Sequence, residues 1–497
     1  MSSLSFGSWR ALLAGAGLTC TVALASSAQT EAATATTKHQ IQLGGRAFQY
    51  TAQIGRVPIR DAETGEPHGY MGFIAYRVPT SGAPRPVTFL WNGGPGSNSA
   101  LLHFEAVGPK RLSDGRLIDN PETVLGATDL VFVDPIGTGF SRATKREYEP
   151  EFYQTDGDVR SVTEFVRAWR LLFDAVDSPI FLGGESWGSG RAAAVSYGLE
   201  RMRVHVSGLI LISGGTGLRN PAPRDLSTAL RIIQLPAVAL FHGKLSPELG
   251  KDTAAIKAQV RAWATDTYAP ALARVASLTD AERESIAAKL SLYSGLPLDQ
   301  IDRRTLVITP RQHLTGLLAD EKKTLNTFDM RIAGNEDFNT GASVIENYLR
   351  RDLGYRTDLA YVGLGGGFEQ GFSPTGAPSR GVGARWDYFS GKLSPDSAAV
   401  LMQAAARRGG GPPGGQGEPF AEMAMGLNPK LRVHIATGLF DSLGSCAANE
   451  DMLRRLEPPL RDRITFRCYG AGHMVYRDAD ARRQLSADIK ALVSTAR

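Results

Sequence analysis

Polar and apolar residues follow three patterns along this chain. Residues 41–54 alternate, as in Phe48-Gln49-Tyr50-Thr51-Ala52, and Met71-Gly72-Phe73-Ile74-Ala75-Tyr76 reads the same way. Alternation predicts strands, and the turn signals Gly44-Gly45 and Gly65-Glu66-Pro67 predict antiparallel edge strands. Residues 86–91, 128–133, 178–182 and 206–213 are continuous apolar runs instead, suited to strands buried on both faces. Between them, residues 156–174 repeat at helical spacing, with Val159, Val162, Phe165, Val166, Trp169 and Phe173 on one face and Asp156 as candidate N-cap. Arg191-Ala192-Ala193-Ala194-Val195 is rich in helix formers. Strand, helix, strand, helix, strand predicts an α/β fold with a mostly parallel central sheet and helices on both faces.

The third pattern covers residues 214–422. Long central-strand runs become scarce, and residues 252–264 and 280–292 carry helical periodicity. Gly365-Gly366-Gly367 and the Gly/Pro-rich residues 409–415 mark loops, and residues 408–417 are the first place to expect proteolytic cutting. This stretch reads as an inserted, mainly helical cap. Strand patterns resume at residues 431–436 and 464–469, and residues 479–492 close the chain as a helix with Leu485, Ile489 and Leu492 on one face. The expected organisation is therefore a core of residues 29–213 and 423–497 around a cap of residues 214–422.

Residues 1–28 change what is counted as mature chain. Arg10, an uncharged and mostly apolar run over residues 11–25, and the small residues Ala23 to Ala28 read as a secretory signal peptide. Residues 30–37, Ala/Thr-rich, read as a loose leader. The run is short for a membrane span and no later stretch is longer, so no span is expected in the mature chain. A secreted or periplasmic location follows. Removing residues 1–28 also removes Cys20, leaving Cys446 and Cys468, for which an exported chain permits a disulfide; two free thiols are the alternative. Among 497 residues the net charge is only +5, with no block of like charge, which argues against nucleic acid. No metal-ligand spacing and no phosphate-binding glycine loop occurs, so no cofactor or metal is expected. Composition leaves the oligomeric state open.

The chemistry concentrates at Gly184-Glu185-Ser186-Trp187-Gly188. Gly-x-Ser-x-Gly arises by chance in a chain with 55 glycines. A strand before it and a helix after it make it a nucleophile elbow, with the Ser186 hydroxyl at a helix N-terminus. A serine needs a base, and the base an orienting carboxylate; on this scaffold the chain order is serine, acid, histidine. Beyond Ser186 lie His205, His242, His313, His434 and His473. His205 and His242 come too early, His313 sits in the cap, and His434 lies mid-strand. His473, in a glycine-flanked loop after the last strand, is the expected base, and Asp441, after the preceding strand, its partner. The strand at residues 86–91 runs into Asn92-Gly93-Gly94-Pro95-Gly96-Ser97, whose backbone N–H groups are placed to form half of an oxyanion hole. A Cys446–Cys468 bridge would clamp the Asp441 loop to the His473 loop.

These segments together resemble the serine carboxypeptidases of the α/β-hydrolase fold. The resemblance rests on residues 92–97, Asp134-Pro135-Ile136-Gly137-Thr138-Gly139-Phe140-Ser141, residues 184–188, Asp441, and Gly472-His473-Met474. It covers the sheet domain well and the cap loosely. The high glycine content and few cysteines look more like bacterial members. It implies a partner peptide with a free C-terminus, cleaved through a Ser186 acyl-enzyme. It implies recognition of the terminal carboxylate by Asn92 and Glu185, and oxyanion donors at the N–H groups of Gly94 and Trp187. Two carboxylates in contact cannot both be ionised cheaply, so activity should be best at acidic pH. The sequence departs from the family at Leu90, where tryptophan is usual, at Trp187, where tyrosine is common, and at Glu105, one residue out of register with a second family glutamate. An acyltransferase or esterase on the same scaffold, and a non-catalytic binding protein, are the alternatives.

Overall fold

The computed structural model describes residues 34–334, 341–363, 381–390 and 418–495. The expected signal peptide with Cys20, Gly365-Gly366-Gly367 and residues 408–417 lie outside the described residues.

Among the described residues there are twelve strands: β1 (Ala35–Leu43), β2 (Arg46–Arg60), β3 (Pro67–Arg77), β4 (Val87–Trp91), β5 (Lys110–Ser113), β6 (Arg116–Asp119), β7 (Asp129–Asp134), β8 (Arg142–Ala143), β9 (Ile180–Glu185), β10 (Val206–Ile212), β11 (Arg432–Gly438) and β12 (Ile464–Tyr469). Ten form one sheet in the order β1-β2-β3-β7-β4-β9-β10-β11-β12, with β8 on β3; β5 and β6 make a separate hairpin. The alternating strands β1, β2 and β3 pair antiparallel. β7, β4, β9, β10, β11 and β12 run parallel to their neighbours in that order. Parallel strands need crossover connections, which place helices over both faces.

Both faces are filled, which is why the central strands read as continuous apolar runs. Leu130, Phe132, Phe181, Ile210 and Ile212 belong to one cluster, with Leu485, Ile489 and Leu492 of the closing helix Ala479–Ser494. Val131, Val133, Ile180, Leu182, Leu209 and Leu211 point the other way, onto Phe165, Val166 and Trp169 of helix Thr155–Leu172 and Val195 and Leu199 of helix Trp187–Arg201. This is the α/β-hydrolase architecture.

Two local expectations shift. Asp156 does not cap its helix: the helix starts at Thr155, with Gln154 in the N-cap position and no side-chain cap. The chain enters from the preceding turn Glu149–Phe152, and a Cβ at Gly157 would meet the Glu151 carbonyl at 1.7 Å, so this turn sets the start. β1 begins at Ala35, so the end of the Ala/Thr-rich leader is strand.

Residues 214–422 do not pack as one body among the described residues. Helices Thr253–Trp263 and Asp280–Ser294, with Asp252 and Thr279 as caps, share an apolar cluster with residues from Leu226 to Met330. Tyr348, Leu349 and Tyr355 instead join the sheet's first cluster, and Ala421, Ala424 and Met425 of helix Phe420–Leu427 join its second. No helix among the described residues is long and apolar enough to cross a membrane.

Candidate active site

The candidate site lies at the C-terminal ends of β4, β9, β11 and β12. β9 ends at Glu185 and the next helix starts at Trp187, so Ser186 alone makes the turn, at φ 57° and ψ −127°. A non-glycine residue held there is strained, and the surroundings hold it. Its N–H donates to Ile212 O (2.8 Å) and its carbonyl accepts from Ser189 N (3.0 Å). A Cβ at Gly184 would lie 1.9 Å from Gly188 O, so the turn requires glycine there. Ser186 is half-buried.

Asp441 follows β11 and His473 follows β12. His473 Nδ1 donates to Asp441 Oδ2 at 2.8 Å, and the second carboxylate oxygen accepts from Leu443 N at 2.9 Å. Gln234 Nε2 binds the Asp441 carbonyl at 3.0 Å. His473 N donates to Phe328 O (2.6 Å), and the Phe328 ring packs at 5.3 Å from the imidazole. Residues 326–331 thus brace both loops: Ser442 Oγ donates to Thr327 O (2.7 Å), Met330 N to Phe440 O (2.9 Å) and Arg331 Nη1 to Gly470 O (3.1 Å). Nothing in the pattern of this stretch announces that role.

His473 Nε2 is buried and has no hydrogen-bond partner, the Ser186 hydroxyl included. Its charged neighbour is Glu185 Oε1, at 3.3 Å. The structure therefore joins His473 to Asp441 and to Glu185, with Ser186 adjacent to Glu185 along the chain. Burial works against charge on His473, but Asp441 and then Glu185 outweigh it and raise its pKa to about 9. Burial raises the pKa of Glu185, against the opposing effects of His473 and Asn92.

Asn92 follows β4 directly and is buried. Its Nδ2 donates to Glu185 Oε2 at 2.9 Å and reaches Tyr476 Oη at 3.5 Å, while its Oδ1 accepts from Leu102 N at 3.0 Å. The loop it opens lies flat on the elbow: a Cβ at Gly93 would sit 2.4 Å from Trp187 N and 2.7 Å from Glu185 O. Gly94, at φ 102°, follows. Trp187 carries its ring against Trp386 and Tyr388, both at 5.9 Å. Glu105 faces Arg477 (2.6 Å) rather than Asn92. Asp134 accepts from Ser99 N and Oγ, fixing the end of the Asn92 loop.

Two supporting residues carry no signal in the sequence. Tyr476 follows His473 by three positions, with no motif around it. Arg191, in the elbow helix, donates from Nη1 to the Asn92 carbonyl (2.9 Å) and from Nε to Asp158 (2.6 Å). Arg191 and Asp158 are both buried, and burial raises the Asp158 pKa against the pull of Arg191. Arg191→Met would leave a buried carboxylate unpaired. A loss of about 3–5 kcal/mol is expected in urea unfolding.

Cys446 and Cys468 form a disulfide with Cα atoms 5.5 Å apart, tying the helix after Asp441 to β12 before His473. The closed loop spans 22 positions, and chain entropy gives roughly 3 kcal/mol for such a loop. The Cys446→Ala/Cys468→Ala double variant is expected to lose that much, read as a lower urea midpoint. Among the described residues, no group of three His, Cys, Asp or Glu side chains is arranged to hold a metal.

The class defined by this fold is the α/β-hydrolases. Within it, the model of the serine carboxypeptidase family matches residues 66–196, which include β4, the Asn92 loop and the elbow. The chain is 32% identical over 155 residues to the pheromone-processing carboxypeptidase KEX1 of Tuber melanosporum, covering 29% of this chain and 24% of that one. It is 26% identical over 271 residues to serine carboxypeptidase-like 50 of Arabidopsis thaliana, covering 50% and 57%. The matched stretches thus span less than two-thirds of these relatives. The solved structure of the KEX1 prohormone-processing carboxypeptidase from Saccharomyces cerevisiae superposes with a TM-score of 0.48 at 16% identity, covering 89% of this chain and 91% of that one. These relatives are fungal and plant proteins; the likeness to bacterial members rests on glycine and cysteine content alone.

Proposed function

We propose that this chain is an exported serine carboxypeptidase that removes C-terminal residues from peptides. One observation carries the reading. The Asn92–Glu185 pair, a device suited to a carboxylate, sits at the elbow beside the hydrogen-bonded His473 and Asp441. In this reading the Ser186 hydroxyl rotates to His473 Nε2, which is the buried nitrogen without a partner. His473 takes the proton as Ser186 attacks the scissile carbonyl, and the Gly94 and Trp187 N–H groups hold the oxyanion. His473 then protonates the leaving amine. Water, activated by the same imidazole, releases the acyl group. Asn92 Nδ2 and a protonated Glu185 hold the substrate's terminal carboxylate. The complex needs one proton on Glu185, which burial favours, so carboxylate binding strengthens as pH falls and weakens at high pH, where the Glu185–His473 pair loses that proton.

Export belongs to the same reading, supported by the pattern of residues 1–28 and by a disulfide suited to an oxidising compartment. The domain division proposed is a core of residues 29–213 and 423–497 with residues 214–422 as insertion.

The test compares a peptide with its C-terminal amide. The free acid is expected to react far faster in kcat/KM. Equal rates, or an acyl product passed to an alcohol rather than water, would favour the esterase or acyltransferase alternative. No reaction at Ser186 with a fluorophosphonate would favour a binding protein.

A further inference from the structure

The placement of Glu185 has a consequence for the base itself. In most serine hydrolase schemes the base faces the hydroxyl it must deprotonate. Here His473 Nε2 faces a carboxylate, 3.3 Å away, with both side chains buried. Asp441 lies on Nδ1 at 2.8 Å. An imidazole between two buried carboxylates is held as the cation, because the cation is the only form that pairs with both. An imidazolium has no lone pair and cannot take a proton from Ser186.

We infer that in the free protein Glu185 holds a proton on His473 Nε2, and that a ligand's carboxylate arriving at Asn92 drives this proton onto Glu185 and releases His473 as a base. The inference rests on the reading of Asn92 and Glu185 as the carboxylate site. The N–H bond at Nε2 breaks, its electron pair stays on nitrogen, and an O–H bond forms on Glu185. The new hydroxyl then donates to the ligand carboxylate. No proton enters from solvent, and the charge of the group changes only by that of the ligand. The driving force is repulsion: two ionised carboxylates in a buried contact cost more than moving one proton a few ångströms.

The surroundings agree. Besides His473, Glu185 meets Asn92, and the Tyr476 hydroxyl stands beyond it. The next charges form the Glu105–Arg477 pair, and Arg477 acts weakly to lower the Glu185 pKa. On the other side of His473 stands Asp441, with the half-buried Arg231 on the Ser442 carbonyl beside it. The Phe328 ring covers the imidazole. No described cation touches Glu185 other than His473, so the proton has one donor and one acceptor. Against burial, Asp441 and Glu185 raise the His473 pKa to about 9, and the burial that raises the Glu185 pKa favours its taking the proton once the ligand arrives.

Ligands without a carboxylate then meet a charged His473. Discrimination against amides and blocked esters falls on kcat more than on KM, and relaxes at high pH, where His473 loses its proton unaided.

Two measurements test this on the intact protein. The first is calorimetry with N-acetyl-L-phenylalanine, a product-like carboxylate, at neutral pH in buffers of different ionisation enthalpy. Internal transfer predicts binding with no net proton uptake; uptake of one proton per ligand overturns the inference. If N-acetyl-L-phenylalanine binds no better than its amide, the carboxylate reading itself fails, a separate outcome. The second is the pH profile of kcat/KM on an ester with a blocked carboxyl. Glu185→Gln is expected to move its rising limb down by about one pH unit or more, because one of the two carboxylates holding the imidazolium is gone. An unmoved limb in a folded, fluorophosphonate-reactive variant overturns the inference.

Discussion

Ser186→Ala is expected to lower kcat by about 10⁴–10⁶-fold while leaving folding and carboxylate binding in place. The reason is local. The serine side chain is half-buried at the elbow, and the hydrogen bonds that hold the turn run through its backbone and Ser189 rather than its hydroxyl. The turn is held by its backbone, through Ile212 O and Ser189 N, and by Ser189 Oγ on Gly184 O and Ile212 O. In the proposed mechanism, removing one oxygen removes the nucleophile and little else. The residual rate would reflect the oxyanion donors and substrate positioning. Turnover of a peptide, fluorophosphonate labelling and a thermal melt read the three parts separately. A variant that keeps a substantial fraction of the wild-type rate would place the nucleophile elsewhere.

The second large effect is expected from Gly93→Ala. The added methyl would stand 2.4 Å from Trp187 N and 2.9 Å from Gly188 N, both backbone atoms that cannot swing aside. The Asn92 loop would have to lift from the elbow. In the proposed mechanism the Gly94 and Trp187 N–H groups would then no longer converge on one oxygen, and losing one such donor costs about 10²–10³-fold in kcat. Asn92 Nδ2 would also be drawn from Glu185, so KM for a free acid is expected to rise as well. A blocked ester isolates the first effect, since it does not use Asn92. Unchanged kcat on the ester would remove Gly94 from the oxyanion role.

Ser186 and Gly93 differ in how they could be read beforehand. Ser186 sits in a five-residue pattern between an apolar run and a helix-forming run, so its place at a strand–helix turn was legible. Gly93 was legible only as part of a glycine-rich loop. Its closeness to Trp187 N depends on β4 lying beside β9 in the sheet, and no local pattern encodes that order. The same holds for Arg191: its helix could be read, but its hold on the Asn92 carbonyl could not. The insertion was legible as helical, since Asp252 and Thr279 cap helices by local hydrogen bonds. That Tyr348 and Met425 pack on opposite faces of the sheet was not.

What the chain determines by itself is therefore periodic and local: alternating edge strands, apolar central strands, caps and the elbow. These follow from burial and from hydrogen bonds between residues a few positions apart. Tertiary structure alone decided that His473 Nε2 faces Glu185, that Asn92 rests on the elbow, and that residues 326–331 brace both loops. Those contacts join residues tens to hundreds of positions apart, and their geometry depends on strand order and register, which hydrophobic periodicity leaves undetermined.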